Sequence, residues 1–173
     1  MKTYLIPLAL ALAAIAQASA TEALNPGNLR FEGTVEGGTC NLIADDIERD
    51  ISLPPIKIDD FAGASSAGHK PFELSARCDS DISNITFTFQ GTPAPSDGAR
   101  FASTGDASGL ALWLYSSLGG VQQTIRADGS DNARTLTPSG GQAVLPLGAA
   151  YWKSGAVSEG KLESQAIVEI TYN

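Results

Sequence analysis

"AIVEITYN", residues 166–173, is the stretch on which the reading of the fold turns. Ala166, Val168, Ile170 and Tyr172 fall two residues apart, with Glu169 and Thr171 between them. A period of two marks a strand with one buried face. The alternation runs to the end of the sequence, so no later strand is expected to cover its far edge. An uncovered apolar edge is a liability unless something else pairs with it. The question is what fills the vacancy.

A filler is legible at the other end. "NPGNLRFEGTV", residues 25–35, places Leu29, Phe31, Gly33 and Val35 in one row and Asn28, Arg30, Glu32 and Thr34 in the other. This too reads as a strand with one inward face. Gly27 and Gly33 stand where inward side chains would be, and glycine is tolerated in a strand where a backbone or a shallow pocket comes close. The segment has no evident partner within its own domain.

The first twenty residues, "MKTYLIPLALALAAIAQASA", read as a secretory signal. Lys2 precedes an apolar run from Leu5 to Ala16, and Ala18-Ser19-Ala20 supplies the small-x-small cleavage site. The run is too short for a bilayer span. Removal of residues 1–20 leaves 153 residues, enough for one domain with one core. It also leaves 10 basic against 19 acidic residues, a charge of −9. So acidic a surface argues against nucleic acid or anionic membrane as partners. Cys40 and Cys78 are the two cysteines, and in an exported protein the pair reads as a disulfide.

Further alternation appears at 72–78 "FELSARC", 85–89 "ITFTF", 110–115 "LALWLY", 142–147 "QAVLPL" and 166–172. The clusters "GTPAPSDG", "STGDASG", "ADGSDN" and "TPSGG" separate these runs as turns. Short strands with such turns predict an antiparallel sandwich or barrel. Residues 91–109 are expected to be an exposed loop with at most one short strand or turn, and 63–70, "GASSAGHK", a second loop.

No catalytic constellation emerges. His69 is the single histidine, so histidine-based metal sites lack a second ligand and any Ser-His-Asp arrangement would have to use it. "GDASG" (105–109) has the wrong spacing for a nucleophile loop, and G-x-S-x-G is absent. "DGSDN" (128–132) reads as turn chemistry rather than a calcium loop. The pairs Asp45-Asp46 and Asp59-Asp60 are adjacent and, read as strand positions, would point to opposite faces. Asn84-Ile85-Thr86 matches a glycosylation acceptor on a predicted strand. Neither an enzyme nor a cofactor is expected.

In order along the chain, "GNLRFEGTV", Cys40, "PFELSARC" with Cys78, "LPLGAAYWKSG" and "AIVEITYN" with penultimate Tyr172 resemble the type 1 fimbrial pilin subunits of the chaperone–usher pathway. The resemblance spans the mature chain. It implies an all-β, incomplete immunoglobulin-like sandwich that lacks its last strand and is completed by a donor strand from a neighbouring subunit. On that pattern residues 21–33 are the N-terminal donor-strand extension and 34–173 the pilin domain. Asn25, Gly27, Leu29, Phe31 and Gly33 would be the donor residues, with Asn25 entering the groove first and Pro26 removing one backbone donor. Val168, Ile170, Tyr172 and Asn173 would form the groove edge and chaperone contact, and Cys40–Cys78 would tie the first strand to the second. The implied partners are neighbouring pilin subunits, a periplasmic chaperone and an outer-membrane usher, with no nucleic acid and no small-molecule substrate. The implied location is the cell-surface fimbria, and the implied role is structural, in adhesion and biofilm formation, as a major rod subunit or a minor adaptor.

Overall fold

In a computed structural model of the chain, the structure describes Arg30 and residues 33–173. The proposed donor residues Asn25, Gly27, Leu29 and Phe31 lie outside the described residues. Gly33 is described: it is exposed and without regular secondary structure, as is Thr34, and Val35 is 97% exposed. Residues 36–173 form one compact unit.

Ten strands are found among the described residues: β1 (Cys40–Leu42), β2 (Ser66–Cys78), β3 (Ile85–Gly91), β4 (Pro93–Ala94), β5 (Asp97–Ala102), β6 (Leu110–Leu118), β7 (Val121–Thr124), β8 (Ala133–Leu136), β9 (Gln142–Lys153) and β10 (Ala166–Tyr172). One short helix, α1 (Ala44–Ile47), and a single 3-10 turn (Ile58–Phe61) lie between β1 and β2. Every strand pair is antiparallel. The larger sheet runs β1-β2-β9-β6-β5-β4 with β7 also on β6, and the smaller runs β10-β3-β8.

The period-2 readings translate into the core. Ile85, Phe87 and Phe89 of β3 are buried, as are Leu74, Ala76 and Cys78 of β2 and Ala143, Leu145 and Leu147 of β9. These inner faces meet in one cluster with Phe101, Leu114 and Ile125. Removing such side chains from water is the main stabilising term, about 1.5–3 kcal/mol for each large one. Arg134 ties the two sheets through this core. It sits on β8 with 5% exposure and donates to Ser116 Oγ of β6 (2.8 Å), the Thr124 carbonyl of β7 (2.7 Å) and Asp131 (2.7 Å).

Three expectations need correction. The loop expected at 63–70 is strand from Ser66 onward, because Ser66 and Ala67 pair with Trp152 and Tyr151 of β9. The segment expected to be an exposed loop, 91–109, holds β4 and β5, and it buries Ala94, Ala99, Arg100, Phe101 and Ala107. Its low hydrophobicity reflects small inward residues and one dominant aromatic, Phe101. Asp45-Asp46 and Asp59-Asp60 lie in helical turns rather than strands. Asp46 is buried, accepting from Arg49 and from the Ser75 backbone N–H, so it staples α1 to β2.

Candidate functional site: an unpaired seam between two sheet edges

β10 pairs with β3 along its whole length, from Ala166 opposite Gly91 to Tyr172 opposite Ile85. That register puts Val168, Ile170 and Tyr172 on the inner face, in line with Phe89, Phe87 and Ile85. The face is only half closed. Val168 and Ile170 pack against the core cluster yet remain partly exposed, and Tyr172 is 42% exposed. Leu42 of β1 is in the same condition.

β1 lies beside β10 but no hydrogen bond joins them among the described residues. β1 pairs only with β2, with Cys40 opposite Cys78, and those two residues are joined by the disulfide (S–S 2.03 Å). Two neighbouring strand edges, one from each sheet, therefore present backbone donors and acceptors toward a shared seam lined by half-buried aliphatic side chains. Chemically, this is a slot for an extended peptide that brings its own apolar side chains.

The end of β10 is held in place locally. The Ser83 and Asn84 N–H groups donate to the Asn173 backbone oxygen (2.7 and 3.2 Å), and the Asn173 N–H donates to the Asn84 carbonyl. Before β10, the segment 157–163 borders a cleft of about 640 Å³ whose other wall includes Pro55, Ile56, Ile58 and Phe61. That segment is pinned by backbone bonds from Thr104 to Glu163 and from Ala107 to Lys161, and by the Lys161 N–H donating to Asp106 (2.5 Å). The backbone donor depresses the Asp106 carboxyl below its ordinary range.

The residues weighed for catalysis take structural places. His69 has Ser66 Oγ at 3.2 Å from Nε2 and Tyr115 Oη at 3.1 Å from Nδ1, so hydroxyls rather than a carboxylate flank the ring. Asp128 closes the 128–132 turn, accepting from the Ser130 hydroxyl and backbone N–H and from Arg126, which together hold its carboxyl well below the usual range. Among the described residues no group of three or more metal-ligating side chains forms. No helix there is long and apolar enough to cross a membrane. Asn84 is half-buried, immediately before β3.

Comparison with known proteins places this architecture. The family model for fimbrial proteins matches residues 29–173, and the chain belongs to that family. It is 26% identical over 161 residues to the minor fimbrial subunit HifD of Haemophilus influenzae, covering 85% of this chain and 74% of that one. It is 22% identical over 173 residues to the type-1 fimbrial protein A chain of Escherichia coli K12, covering 95% and 93%. Among solved structures, a chain from a chaperone–usher pilus superposes with a TM-score of 0.65 at 19% identity, over 90% of this chain and 100% of that one. The P pilus rod subunit PapA superposes with a TM-score of 0.64 at 18% identity, over 78% and 99%. The fold is the immunoglobulin-like sandwich those pilins share.

Proposed function

We propose that the chain is a structural subunit of a chaperone–usher fimbria that polymerises head to tail by donor-strand exchange. The observation that carries this reading is the β1–β10 seam. Its two edges are adjacent and unbonded, and Leu42, Val168 and Ile170 are half-buried along it. An inserted strand would pair with both edges and finish the burial of those side chains. Residues 21–33 supply that strand to the next subunit, with Gly27, Leu29, Phe31 and Gly33 facing its groove and Asn25 entering first. A head-to-tail contact of this kind does not close on itself and builds a filament. Residues 1–20 direct export, and residues 34–173 form the receiving domain. A periplasmic chaperone occupies the seam before assembly, contacting β10 near Tyr172 and Asn173, and an outer-membrane usher passes the subunit to the surface. The role there is attachment and biofilm formation rather than catalysis.

The decisive experiment appends a copy of residues 25–35 after Asn173 through a short flexible linker. Seating Leu29 and Phe31 in the seam contributes about 1.5–3 kcal/mol each, and every new ladder bond about 0.5–1.5 kcal/mol net. Against an ordinary domain stability of about 5–15 kcal/mol that gain is decisive. The fused chain should be a soluble monomer that melts far above the unfused one and does not polymerise. Leu29→Asp and Phe31→Asp in the appended copy should abolish the gain. A mature chain that is already a stable monomer, with a melting temperature the fusion does not raise, defeats the proposal.

A further inference from the structure

The outer face of the larger sheet, which the seam does not use, carries a second organised cluster. Arg100 of β5, Trp113 and Tyr115 of β6, Trp152 of β9 and His69 of β2 converge there. Trp113 contacts Trp152, Tyr115 and His69 with ring centroids 5.6, 4.7 and 5.6 Å apart. Small residues make the floor: Ala150 lies opposite Trp113, Ala111 opposite Trp152 and Gly148 opposite Tyr115. A Cβ at Gly148 would overlap the Tyr115 ring. His69 reaches the group through a bulge, because the register of β2 on β9 slips between Ala67 and Lys70 and Gly68 takes φ +64°. Bulges of this kind redirect side chains.

Arg100 is the unusual member. Its guanidinium stacks 3.8 Å above the Trp152 ring centroid and 5.4 Å from that of Trp113. The residue is 8% exposed, its Nε is fully buried without a hydrogen-bond partner, and the guanidinium donates to no described residue. Its nearest acid, Asp97, stands 4.0 Å away. A guanidinium has five N–H donors, and buried donors are normally satisfied. Arg134, equally buried in the same molecule, has acceptors at Nε and at both terminal nitrogens. Burial lowers the Arg100 pKa from its usual value while Asp97 raises it.

We propose that this cluster is a binding site for a pyranose carrying one carboxylate. The carboxylate docks on the terminal nitrogens of Arg100, and the ring lies against the half-exposed surfaces of Trp113 and Trp152. A guanidinium held by two indoles presents its fork in a fixed plane suited to a carboxylate. Ser66, His69 and Tyr115 form a chain of groups that can each donate or accept, which suits a ligand rich in hydroxyls. Asp97 and the mature chain's charge of −9 favour a monoanion over a multiply charged phosphate.

Both tryptophans of the chain, Trp113 and Trp152, stand in this cluster, so tryptophan fluorescence, excited selectively at the red edge, reports on it alone. Titrating the purified chain, its seam filled by the appended copy of residues 25–35, with D-glucuronate should give a saturable change at millimolar concentration, with D-glucose and acetate each at least tenfold weaker. Arg100→Gln should weaken glucuronate binding by about tenfold or more, the size expected for one charge-assisted contact. Asp97→Asn removes the competing acid and should tighten binding several-fold, a result that a purely structural Arg100 would not give. No saturable change with glucuronate overturns the proposal. So does acetate binding as well as glucuronate, or Asp97→Asn leaving the affinity unchanged.

Discussion

Arg134 and Arg100 are both more than nine-tenths buried, yet their surroundings differ in kind. Arg134 is enclosed by acceptors from β6, β7 and the turn before β8, so its charge is spread over a complete network. Truncating it would take away the donor that the Ser116 hydroxyl and the Thr124 carbonyl accept from inside the sandwich. Arg134→Ala should therefore cost roughly 3 kcal/mol, measurable by chemical denaturation of the subunit with its seam filled. A cost below about 1 kcal/mol would mean that water replaces the guanidinium there. Nothing in "NARTLTP" singled out Arg134 as a core residue. Its alternation partner, Leu136, gave the only hint, because an inward arginine is legible only when the acceptors around it are known.

At the scale of elements, the β2 bulge and the free edge of β10 carry the most consequence. Gly68 lies in the left-handed region, and a Cβ there would meet the Tyr151 ring at 2.8 Å and Ile56 at 2.9 Å. Gly68→Ala should cost about 1–2 kcal/mol from backbone strain alone, with more from the overlap, and should lower the melting temperature. An unchanged melting temperature would show that the bulge relaxes freely. On β10, Ile170→Asp places a charge on the half-buried inner face. The variant should still form its disulfide but should lose the SDS-stable ladder of multimers expected of the assembled fimbria. A normal ladder would remove Ile170 from the seam. The strands with strong alternation, 72–78, 85–89 and 166–172, were readable from sequence because their inward residues are large and apolar. β5 was not readable, because "GARFAS" buries small residues around one phenylalanine, and neither were β7 and β8, which present mostly polar side chains. The start of β2 was hidden by glycine and serine, which look like loop until a neighbouring strand claims their backbone.

For the molecule as a whole, acid should be the weak condition. Asp106 and Asp128 are both held below the ordinary carboxylate range, by the Lys161 backbone N–H and by Arg126 with Ser130 respectively. A carboxyl with a depressed folded-state pKa stabilises fully above its unfolded pKa, near 4, and that contribution fades as pH falls toward the folded-state value. The melting temperature should therefore hold between about pH 7 and pH 5 and fall below about pH 4. The fall should be shallower in the double variant Asp106→Asn, Asp128→Asn, followed by thermal scans across that range. An equally steep fall in the double variant would assign the acid limb to other carboxylates. The amino-acid sequence by itself determined the all-β class, the inward rows of the principal strands and the match to the fimbrial pattern, because period-2 alternation and turn residues are local properties of the chain. The tertiary structure alone decided that β1 and β10 lie side by side without bonding. It alone placed a buried arginine across both sheets, and it gathered His69, Arg100, Trp113 and Trp152 onto one face. Those arrangements depend on which strand edges become neighbours, and that choice is made by packing residues far apart in the chain.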